Sequence, residues 1–423
     1  MAKNNGERAF LERLADHYPP LRALMVLGGH QRMSAGRVFL SFAVVDAVRR
    51  LRSFGFSGAA LDRLFVKHQQ AVTHHPNFLA NPCNPKINIL SVCLTYHCDR
   101  SCSFCYAKGL QNEFREHMSL ADFDFLAGWA RSQGWLCMRL LGGEPTQHPQ
   151  FAQILDIAAR HGLTIYVTTN GLFDARLNAP LGKSFVRSVC FSYPQDGVQP
   201  RELEAFRRNF KRAVDNGRTI LALSWVIQPE NDGWRQVVDL AKESHTRSMV
   251  RFSMALPGHS RNFGPGELRQ RLRTVAAQIV EIARYAQKQN VIFAFYRPLL
   301  LCMFEPEQLA LLKAISPFLF YTRCPLCLKG EYDTDLKLTV NPDLSCYPCT
   351  ALAVKGVKIA PGVTRTSLNE RFSPLLREMT ARPLMKACED CQFFANYKSR
   401  LGDKPQDLAD RTVCQGGCFQ YRV

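Results

Sequence analysis

The chain has 423 residues, 46% of them hydrophobic, and a formal net charge of +18. These values predict a globular protein, either with two domains or with one large barrel and an appendage. The longest apolar runs, such as residues 38–48, are too short to span a bilayer, and no export signal stands at the start, so we expect a cytoplasmic protein without membrane contact. The positive charge favours an anionic partner such as nucleic acid. However, the sequence has no RNA-binding signature or dense basic run, and a basic soluble surface explains the charge equally well.

The first region, residues 1–82, predicts a helical N-terminal segment. Its apolar residues recur at helical spacing on one face, and a second helix is expected at Ala60–Val72. Three prolines in residues 74–86 then interrupt regular structure and indicate a linker.

From residue 84 to about 300, apolar strand-like runs alternate with helical stretches. Strands are predicted at 87–94, 136–141, 163–168, 186–192, 219–226 and 249–254, with a possible seventh at 290–296. Ser119 is placed to cap one helix, with Asp122 three residues later, and Pro149 precedes a helix at Phe151–Arg160. Regular alternation of this kind predicts an α/β fold with parallel strands, and six units suit a partial, open (β/α)6 TIM-like barrel.

Sixteen cysteines in a chain without an export signal argue against disulfides, since the cytosol keeps thiols reduced. Eight of them form four close pairs in the last region, residues 320–423, which predicts a small metal-organised domain. The pairs are Cys324 and Cys327, Cys346 and Cys349, Cys388 and Cys391, and Cys414 and Cys418. The isolated cysteines are expected to be small buried hydrophobes. These are Cys83, Cys93, Cys137, Cys190 and Cys302. Cys83 and Cys302 are the two candidates for another role, since the stretch containing Cys302 falls near the predicted end of the barrel.

The stretch "CDRSCSFCY" carries three cysteines, Cys98, Cys102 and Cys105, directly after the first predicted strand. Structural zinc sites use four ligands, whereas a cubane iron–sulfur cluster held by three cysteines keeps one iron open. The loop is expected at the C-terminal mouth of the barrel, where such folds carry their chemistry. A zinc site completed by Cys93 or His97 is the alternative.

This stretch resembles the signature of the radical S-adenosylmethionine (radical SAM) enzymes, with Phe104 at the aromatic position. Three later stretches are similar to motifs of that family, namely "LGGEPTQHP", "TTNG" and "CFSYPQDG". The resemblance implies a [4Fe-4S] cluster on the three cysteines, with S-adenosylmethionine on its open iron. It further implies that Gly142, Gly143 and Glu144 bind the methionyl amine, and that the Phe104 backbone contacts the adenine. Asn170 and Ser192 are expected to contact the carboxylate or ribose, although a plain turn and a strand-end cap explain these two residues as well.

The cysteine-rich end resembles the SPASM extension of radical SAM maturases, which implies one or two auxiliary [4Fe-4S] clusters. The supporting stretches are "LTVNPDLSCYPC" and the terminal "CEDC" and "CQGGC". The chain departs from that pattern in having Leu344 where the family has glycine, twenty-two residues between Cys391 and Cys414, and no cysteine after Cys418. A zinc ribbon is the alternative for the same spacings.

The resemblance implies reductive cleavage of S-adenosylmethionine to a 5′-deoxyadenosyl radical and hydrogen abstraction from a substrate. Auxiliary clusters of this type favour a peptide or protein substrate, with a reductant such as a flavodoxin or ferredoxin. The first alternative is modification of RNA or a small metabolite. The second is a zinc-binding protein that contacts nucleic acid without catalysis, which leaves the "LGGEP" stretch unexplained.

Overall fold

The computed structural model describes residues 89–216, most of 220–315, 338–348, 356–381 and 388–399, and Cys414 and Gly416. The predicted N-terminal segment 1–82, its helix Ala60–Val72, the linker and Cys83 lie outside the described residues. So do Cys324, Cys327, Cys349 and Cys418.

Seven parallel strands form the main sheet, in chain order. They are β1 (Ile89–Thr95), β2 (Cys137–Gly142), β3 (Thr164–Thr169), β4 (Val186–Ser192), β5 (Ile220–Ile227), β6 (Ser248–Met254) and β7 (Phe293–Phe295). All six expected strands are present within two residues of their predicted bounds, and the possible seventh is present as the shorter β7. Parallel strands need crossover connections, and the helical stretches between the apolar runs supply them.

The helices between these strands are α1 (Leu110–Glu113), α2 (Leu120–Ser132), α3 (Phe151–Arg160), α4 (Asn178–Leu181), α5 (Pro200–Asn216), α6 (Trp234–Glu243) and α7 (Pro265–Lys288). The predicted cap of α2 is confirmed, because the Ser119 side chain accepts a hydrogen bond from the Asp122 backbone. Helix α3 has its predicted bounds and buries Phe151, Ile154 and Ala158 against the sheet. Short 3-10 turns occur at Pro145–Gln147, Ala175–Leu177 and Leu301–Met303.

Beyond β7 follow α8 (Pro306–Ile315), β8 (Thr339–Val340), β9 (Ser345–Tyr347), β10 (Val357–Lys358), α9 (Arg365–Thr380) and α10 (Gln392–Ser399). Strand β8 pairs in parallel with β1, and β9 is antiparallel to both β8 and β10. The sheet therefore has ten strands in the order β10-β9-β8-β1-β2-β3-β4-β5-β6-β7. Strands β7 and β10 lie at its two edges, so the barrel is open, as expected.

The cysteine-rich region shares the hydrophobic core of the barrel. Val340, Leu344 and Cys346 of the β8–β9 hairpin and Leu368 and Phe372 of α9 belong to the same buried cluster as the barrel strands. The expectation of a region organised by metal rather than by an apolar core therefore needs correction for this hairpin and α9. The added strands bury apolar surface on β1, all seven of whose residues are buried. Among the described residues, no helix is both long enough and apolar enough to cross a membrane.

Candidate functional site

The candidate site lies at the edge of the sheet where β1 to β4 end. Because neighbouring parallel strands end on the same side, the segments after Thr95, Gly142, Thr169 and Ser192 meet there. These four segments carry the residues predicted to bind the first cluster and S-adenosylmethionine, whereas the cysteines predicted to hold auxiliary clusters lie in residues 320–423.

The segment after β1, residues 96–106, carries the three predicted cluster ligands and is called the cysteine segment below. Cys98, Cys102 and Cys105 are all half-buried. The Cys105 backbone donates to the carbonyl of Cys102 (3.2 Å), which closes a turn between them. The Ala107 N–H points at the Cys105 sulfur (3.4 Å), an arrangement that favours the thiolate.

The thiols of this loop lie among negative groups. Burial, aided by the carboxylates of Glu144 and Asp99 and the thiol of Cys105, raises the pKa of Cys98 to about 12, and a hydrogen bond from the Arg100 backbone opposes the rise. Burial, followed by the neighbouring Cys102, raises the pKa of Cys105. Ionising these thiols together calls for a compensating positive charge, which a bound metal supplies.

The donor set fits a three-thiolate iron–sulfur cluster, since soft thiolates are the ligands that such clusters take. Within the part of the chain that the structure describes, no three Cys, His, Asp or Glu side chains already converge at metal-ligand spacing. Binding one metal group through all three thiols therefore requires their side chains to turn toward a common centre.

The two glycines after β2 allow the cysteine segment to pack closely on this strand. The Gly143 N–H donates to the Thr95 carbonyl (2.8 Å), and the Glu144 N–H donates to the His97 carbonyl (2.8 Å). A Cβ atom on Gly142 would collide with the Thr95 carbonyl, and one on Gly143 would collide with the carbonyls of Tyr96 and His97. Gly142 also has a φ of +138°, which side chains disfavour. The close approach that these glycines permit is to the backbone of the cysteine segment.

Glu144 is buried at the centre of the site, with 1% of its surface exposed. Its Oε1 accepts from the Thr146 N–H (3.1 Å), the Thr146 hydroxyl (2.6 Å) and the Thr169 hydroxyl (2.8 Å). Its Oε2 accepts from the Asn170 N–H (2.6 Å). Burial raises the pKa of this carboxyl, and these hydrogen bonds oppose the rise. The carboxylate thereby holds the end of β3 against the segment after β2.

Asn170 connects the end of β3 to the cysteine segment. Its side-chain oxygen accepts from the Leu172 N–H (2.9 Å), and its amide nitrogen donates to Asp99 (2.6 Å). Asp99 also accepts from the Gln147 side chain (3.4 Å) and lies next to Cys98. The bond to Leu172 supports the interpretation of "TTNG" as a turn. The Asn170 side chain also contacts Asp99 at the site.

A second set of contacts anchors the cysteine segment to the loop after β4. Oδ2 of Asp196 accepts from the backbone N–H (2.7 Å) and the hydroxyl (2.6 Å) of Ser103. Arg100 donates to the Asp196 carbonyl (2.6 Å) and pairs with Glu202 (3.3 Å). The Arg100 side chain is only 7% exposed, so its charge-assisted bonds are protected from water.

The remaining predicted residues lie at the same mouth. Phe104 is half-buried between Ser103 and Cys105, and Ser192 is half-buried at the end of β4, where it pairs with Ser224 of β5. Cys93 and His97, the two candidates for a fourth zinc ligand, make contacts elsewhere. Cys93 is fully buried, which raises its pKa to about 12, and the His97 Nε2 lies 2.7 Å from the Arg115 carbonyl oxygen.

Below the cysteine segment, buried polar contacts join β1 to the β8–β9 hairpin. The Tyr96 hydroxyl donates to Oδ1 of Asn341 (2.7 Å) and lies 3.4 Å from the Tyr347 hydroxyl. Cys93 and Tyr96 also pack in an apolar cluster against Cys105 and Tyr106. The cysteine segment is thus in contact with both the barrel and the C-terminal region.

The described C-terminal cysteines divide into two groups. Cys346 is fully buried on β9 in the main apolar core, and burial is the cause that raises its pKa to about 12. Cys388 and Cys391 lie on one turn, where the Cys391 N–H donates to the Cys388 carbonyl (3.2 Å). The Cys414 N–H donates to the Phe393 carbonyl (3.1 Å), so Cys414 lies near the start of α10.

Sequence reasoning missed the residues that hold the cysteine segment in place. They are Asp99, Arg100 and Ser103 within the quoted signature, Asp196 in "CFSYPQDG", and Glu202, Tyr96 and Asn341. The signal available was their position in or beside the motifs. Their contacts join residues up to 245 positions apart, as for Tyr96 and Asn341, and motif spacing does not predict such contacts.

Comparison with known proteins agrees with this geometry. Residues 92–262 match the radical SAM superfamily. The chain thus contains a radical SAM domain over residues 92–262. This domain implies a [4Fe-4S] cluster and S-adenosylmethionine, and it places the chain among radical SAM enzymes.

Two curated relatives share part of the chain. A GTP 3′,8-cyclase of Ectopseudomonas mendocina is 28% identical over an alignment of 220 residues that covers 47% of this chain and 65% of that protein. The antilisterial bacteriocin subtilosin biosynthesis protein AlbA of Bacillus subtilis is 26% identical over 131 residues, which is 31% of this chain and 29% of that protein. The chain therefore matches less than two thirds of the length of either relative.

Solved structures share the fold over most of the chain. Streptococcus suis SuiB bound to its precursor peptide SuiA has a TM-score of 0.53 and 15% identity, covering 92% of this chain and 89% of that one. The anSMEcpe structure with bound AdoMet and Kp18Cys peptide has a TM-score of 0.53 and 13% identity, covering 78% of this chain and 89% of that one. At these identities the likeness establishes the fold.

Proposed function

We propose that this chain binds a [4Fe-4S] cluster through Cys98, Cys102 and Cys105 and uses it with S-adenosylmethionine to modify a peptide or protein. The observation that carries the proposal is the anchoring of the three-cysteine segment. Its Asp99, Arg100 and Ser103 are hydrogen-bonded to residues after β3 and β4, at the strand ends where barrels of this kind carry their chemistry.

When bound, the reduced cluster and S-adenosylmethionine supply a 5′-deoxyadenosyl radical that abstracts hydrogen from the substrate. The chain's own residues bind and orient the cofactor. Gly142, Gly143 and Glu144 are proposed to receive the methionyl amine, with backbone carbonyls as acceptors, because the Glu144 carboxylate already accepts four hydrogen bonds from the chain.

The Phe104 backbone is proposed to contact the adenine, and Ser192 and Asn170 the ribose or carboxylate. The Asn170 amide nitrogen carries two N–H groups and directs one of them to Asp99, so the second is the donor proposed for the cofactor.

A peptide or protein substrate is supported by the structural neighbours. SuiB and anSMEcpe share the fold and were solved with a precursor peptide and a Kp18Cys peptide. AlbA, a bacteriocin biosynthesis protein, is a sequence relative. We further propose one or two auxiliary [4Fe-4S] clusters in residues 320–423, a flavodoxin or ferredoxin as reductant, and a cytoplasmic location.

A small-molecule substrate is the second candidate, and the GTP 3′,8-cyclase relative favours it. The zinc-binding, non-catalytic alternative is set aside, because it does not account for the radical SAM domain.

The two substrate classes are separated by co-expressing the chain with each short peptide encoded beside its gene and measuring peptide masses. Purified protein is assayed in parallel for 5′-deoxyadenosine formation with GTP or with RNA. A mass change in one peptide that is lost in the Cys102→Ala variant supports the proposal. Turnover that rises only with GTP or RNA contradicts the peptide assignment.

A further inference from the structure

The main sheet has one face packed against helices and an opposite face that is more polar. Phe191 of β4 makes edge-to-face contacts with Phe206 and Phe210 of α5, which identifies the helix-covered face. Successive side chains of a strand point to opposite faces, so Cys190 and Ser192 belong to the other face. Ser192 is half-buried there, whereas Phe191 is fully buried. The face that carries Cys190 and Ser192 is called the inner face below, because it lines the inside of the open barrel.

The strand register extends the inner face into a row of three polar residues. Ser192 at the end of β4 is aligned with Ser224 of β5, and Ser224 is aligned with Arg251 of β6. Aligned residues of neighbouring parallel strands point to the same face. All three are half-buried, whereas Leu223 and Phe252, which adjoin Ser224 and Arg251 in the chain, are buried in the apolar core. The row therefore presents two hydroxyls and a guanidinium to the inside of the barrel at its mouth.

The Arg251 side chain extends along the inner face toward β4. Its Nη1 donates to the sulfur of Cys190 (3.4 Å), one of the isolated cysteines that are buried as predicted. Ala222 of β5 is aligned with Cys190, and its small side chain leaves room for the arginine to cross β5. A thiol is a weak acceptor, and a guanidinium carries five N–H donors in a planar fork. This fork matches the two oxygens of a carboxylate, which accept from it side by side.

Arg251 lies apart from the residues proposed for the cofactor. Gly142, Gly143 and Glu144 stand at the end of β2 and just after it, and Ser192 ends β4, whereas Arg251 is on β6, two strands nearer the edge strand β7. A group held by Arg251 therefore lies beside the cofactor, on the side of the sheet edge at β7. Hydrogen abstraction requires the substrate to contact the cofactor, so this is the side on which we place the substrate.

We propose that Arg251 binds a carboxylate of the peptide substrate, with the Ser224 hydroxyl as a second donor, and thereby selects peptides with an acidic residue near the modified position. The inference rests on the proposed function, since it takes the substrate to be a peptide. Charge-assisted, bidentate hydrogen bonds are strong and directional, so one such contact fixes the orientation of the peptide in the barrel. The net charge of +18 favours the approach of acidic peptides.

Peptide binding to the full-length protein, purified anaerobically and supplied with S-adenosylmethionine, tests the proposal without requiring turnover. Two matched pools of synthetic peptides with capped ends are used, with Glu at the central position of one pool and Gln in the other, and no acidic residue elsewhere. Bound peptides are separated by size exclusion and quantified by mass spectrometry. Wild type is expected to retain the Glu pool about tenfold better than the Gln pool.

Three variants assign that preference to the guanidinium. Arg251→Gln is expected to lose it, and Arg251→Lys is expected to keep part of it, because lysine retains the charge without the planar fork. Arg208→Gln is the matched control, since Arg208 pairs with Glu204 on the exposed side of α5, and it is expected to behave as wild type. The affinity for S-adenosylmethionine is measured by equilibrium dialysis and is expected to be equal in all four proteins, which also shows that the variants are folded.

Equal retention of the two pools by wild type, or an unchanged preference in Arg251→Gln, would overturn the proposal. Loss of S-adenosylmethionine affinity in Arg251→Gln would do so too, since the bound carboxylate would then be that of the cofactor. GTP is tested in a parallel binding assay. Binding of GTP that is lost in Arg251→Gln, with no difference between the peptide pools, would assign the residue to a nucleotide instead. Failure of the proposed function is seen separately, as retention of the Glu pool by a protein that forms no 5′-deoxyadenosine.

Discussion

Glu144 places a carboxylate where water is excluded, and its four hydrogen bonds come from Thr146 in the turn after β2 and from Thr169 and Asn170 at the end of β3. A buried carboxylate is tolerated only when it is well bonded. The free energy that the fold gains from holding β3 against β2 is therefore sensitive to the charge of this side chain.

The raised pKa of Glu144 predicts a pH dependence of stability. The unfolded chain releases this proton near the ordinary value of 4.5, whereas the folded chain retains it to higher pH. Between these two values the folded state binds more protons, so the free energy of unfolding falls as pH rises. Urea unfolding of wild type and Glu144→Gln from pH 4 to 8 measures this component. The stability of wild type relative to the variant is expected to decrease over that range, and a constant difference would contradict the prediction.

Leu344 occupies a backbone conformation that glycine prefers. Its φ is +69°, yet its side chain is buried in the core, and its N–H closes the β8–β9 turn onto the Asn341 carbonyl (3.0 Å). The left-handed conformation costs roughly 1–2 kcal/mol for a residue with a Cβ. Burial of a leucine side chain contributes about 2–3 kcal/mol, which offsets that cost.

Two substitutions at this position separate the terms. Leu344→Ala keeps the strain and loses the burial, whereas Leu344→Gly loses both. We expect both variants to be less stable than wild type, with Leu344→Gly the more stable of the two by about 1 kcal/mol. Chemical denaturation compares them. A glycine variant that is less stable than the alanine variant would show that strain is absent.

At the scale of elements, the loop after β4 positions the cysteine segment. Asp196 accepts two hydrogen bonds from Ser103, two residues before Cys105. Both bonds go to a carboxylate and are of the stronger kind.

Asp196→Ala is therefore expected to slow cleavage of S-adenosylmethionine by about tenfold or more, since one lost bond of about 1.4 kcal/mol corresponds to that factor. Asp215→Ala is the control, because Asp215 pairs with Lys211 on the exposed face of α5. Cleavage rates are measured at equal iron content. Equal rates in wild type and Asp196→Ala would contradict a positioning role for Asp196.

At the scale of the whole molecule, the ten-stranded sheet joins the radical SAM domain to the cysteine-rich region. The Tyr96 hydroxyl donates to Asn341 across this junction, in a buried position next to the cysteine segment. Losing a donor to a buried acceptor costs roughly 1–3 kcal/mol. We expect Tyr96→Phe to lower the free energy of unfolding by that amount, measured in urea, and Tyr166→Phe on β3 to change it less. No loss in the Tyr96 variant would indicate that the junction is held by apolar packing alone.

The order of the parallel strands could be predicted because each apolar run lies between helix signals, and local caps such as Ser119 fixed helix starts. The mouth of the site could be predicted because its residues follow strand ends. Two features could not. The pairing of β8 with β1 joins two strands of seven and two residues far apart in sequence, and the short strand gives no periodic signal. The two hydrogen bonds from Ser103 to Asp196 join residues 93 positions apart in the chain, and no motif spacing predicts that contact.

The measurement that tests the central claim most directly is the formation of 5′-deoxyadenosine from S-adenosylmethionine under reducing, anaerobic conditions. Wild type, Cys102→Ala and the control Cys137→Ala are compared at equal protein concentration. We expect wild type and Cys137→Ala to form the product and Cys102→Ala to form none, while the iron of the proposed auxiliary clusters is retained in Cys102→Ala. Product formation by Cys102→Ala at the wild-type rate would contradict the assignment of the three-cysteine segment as the catalytic centre.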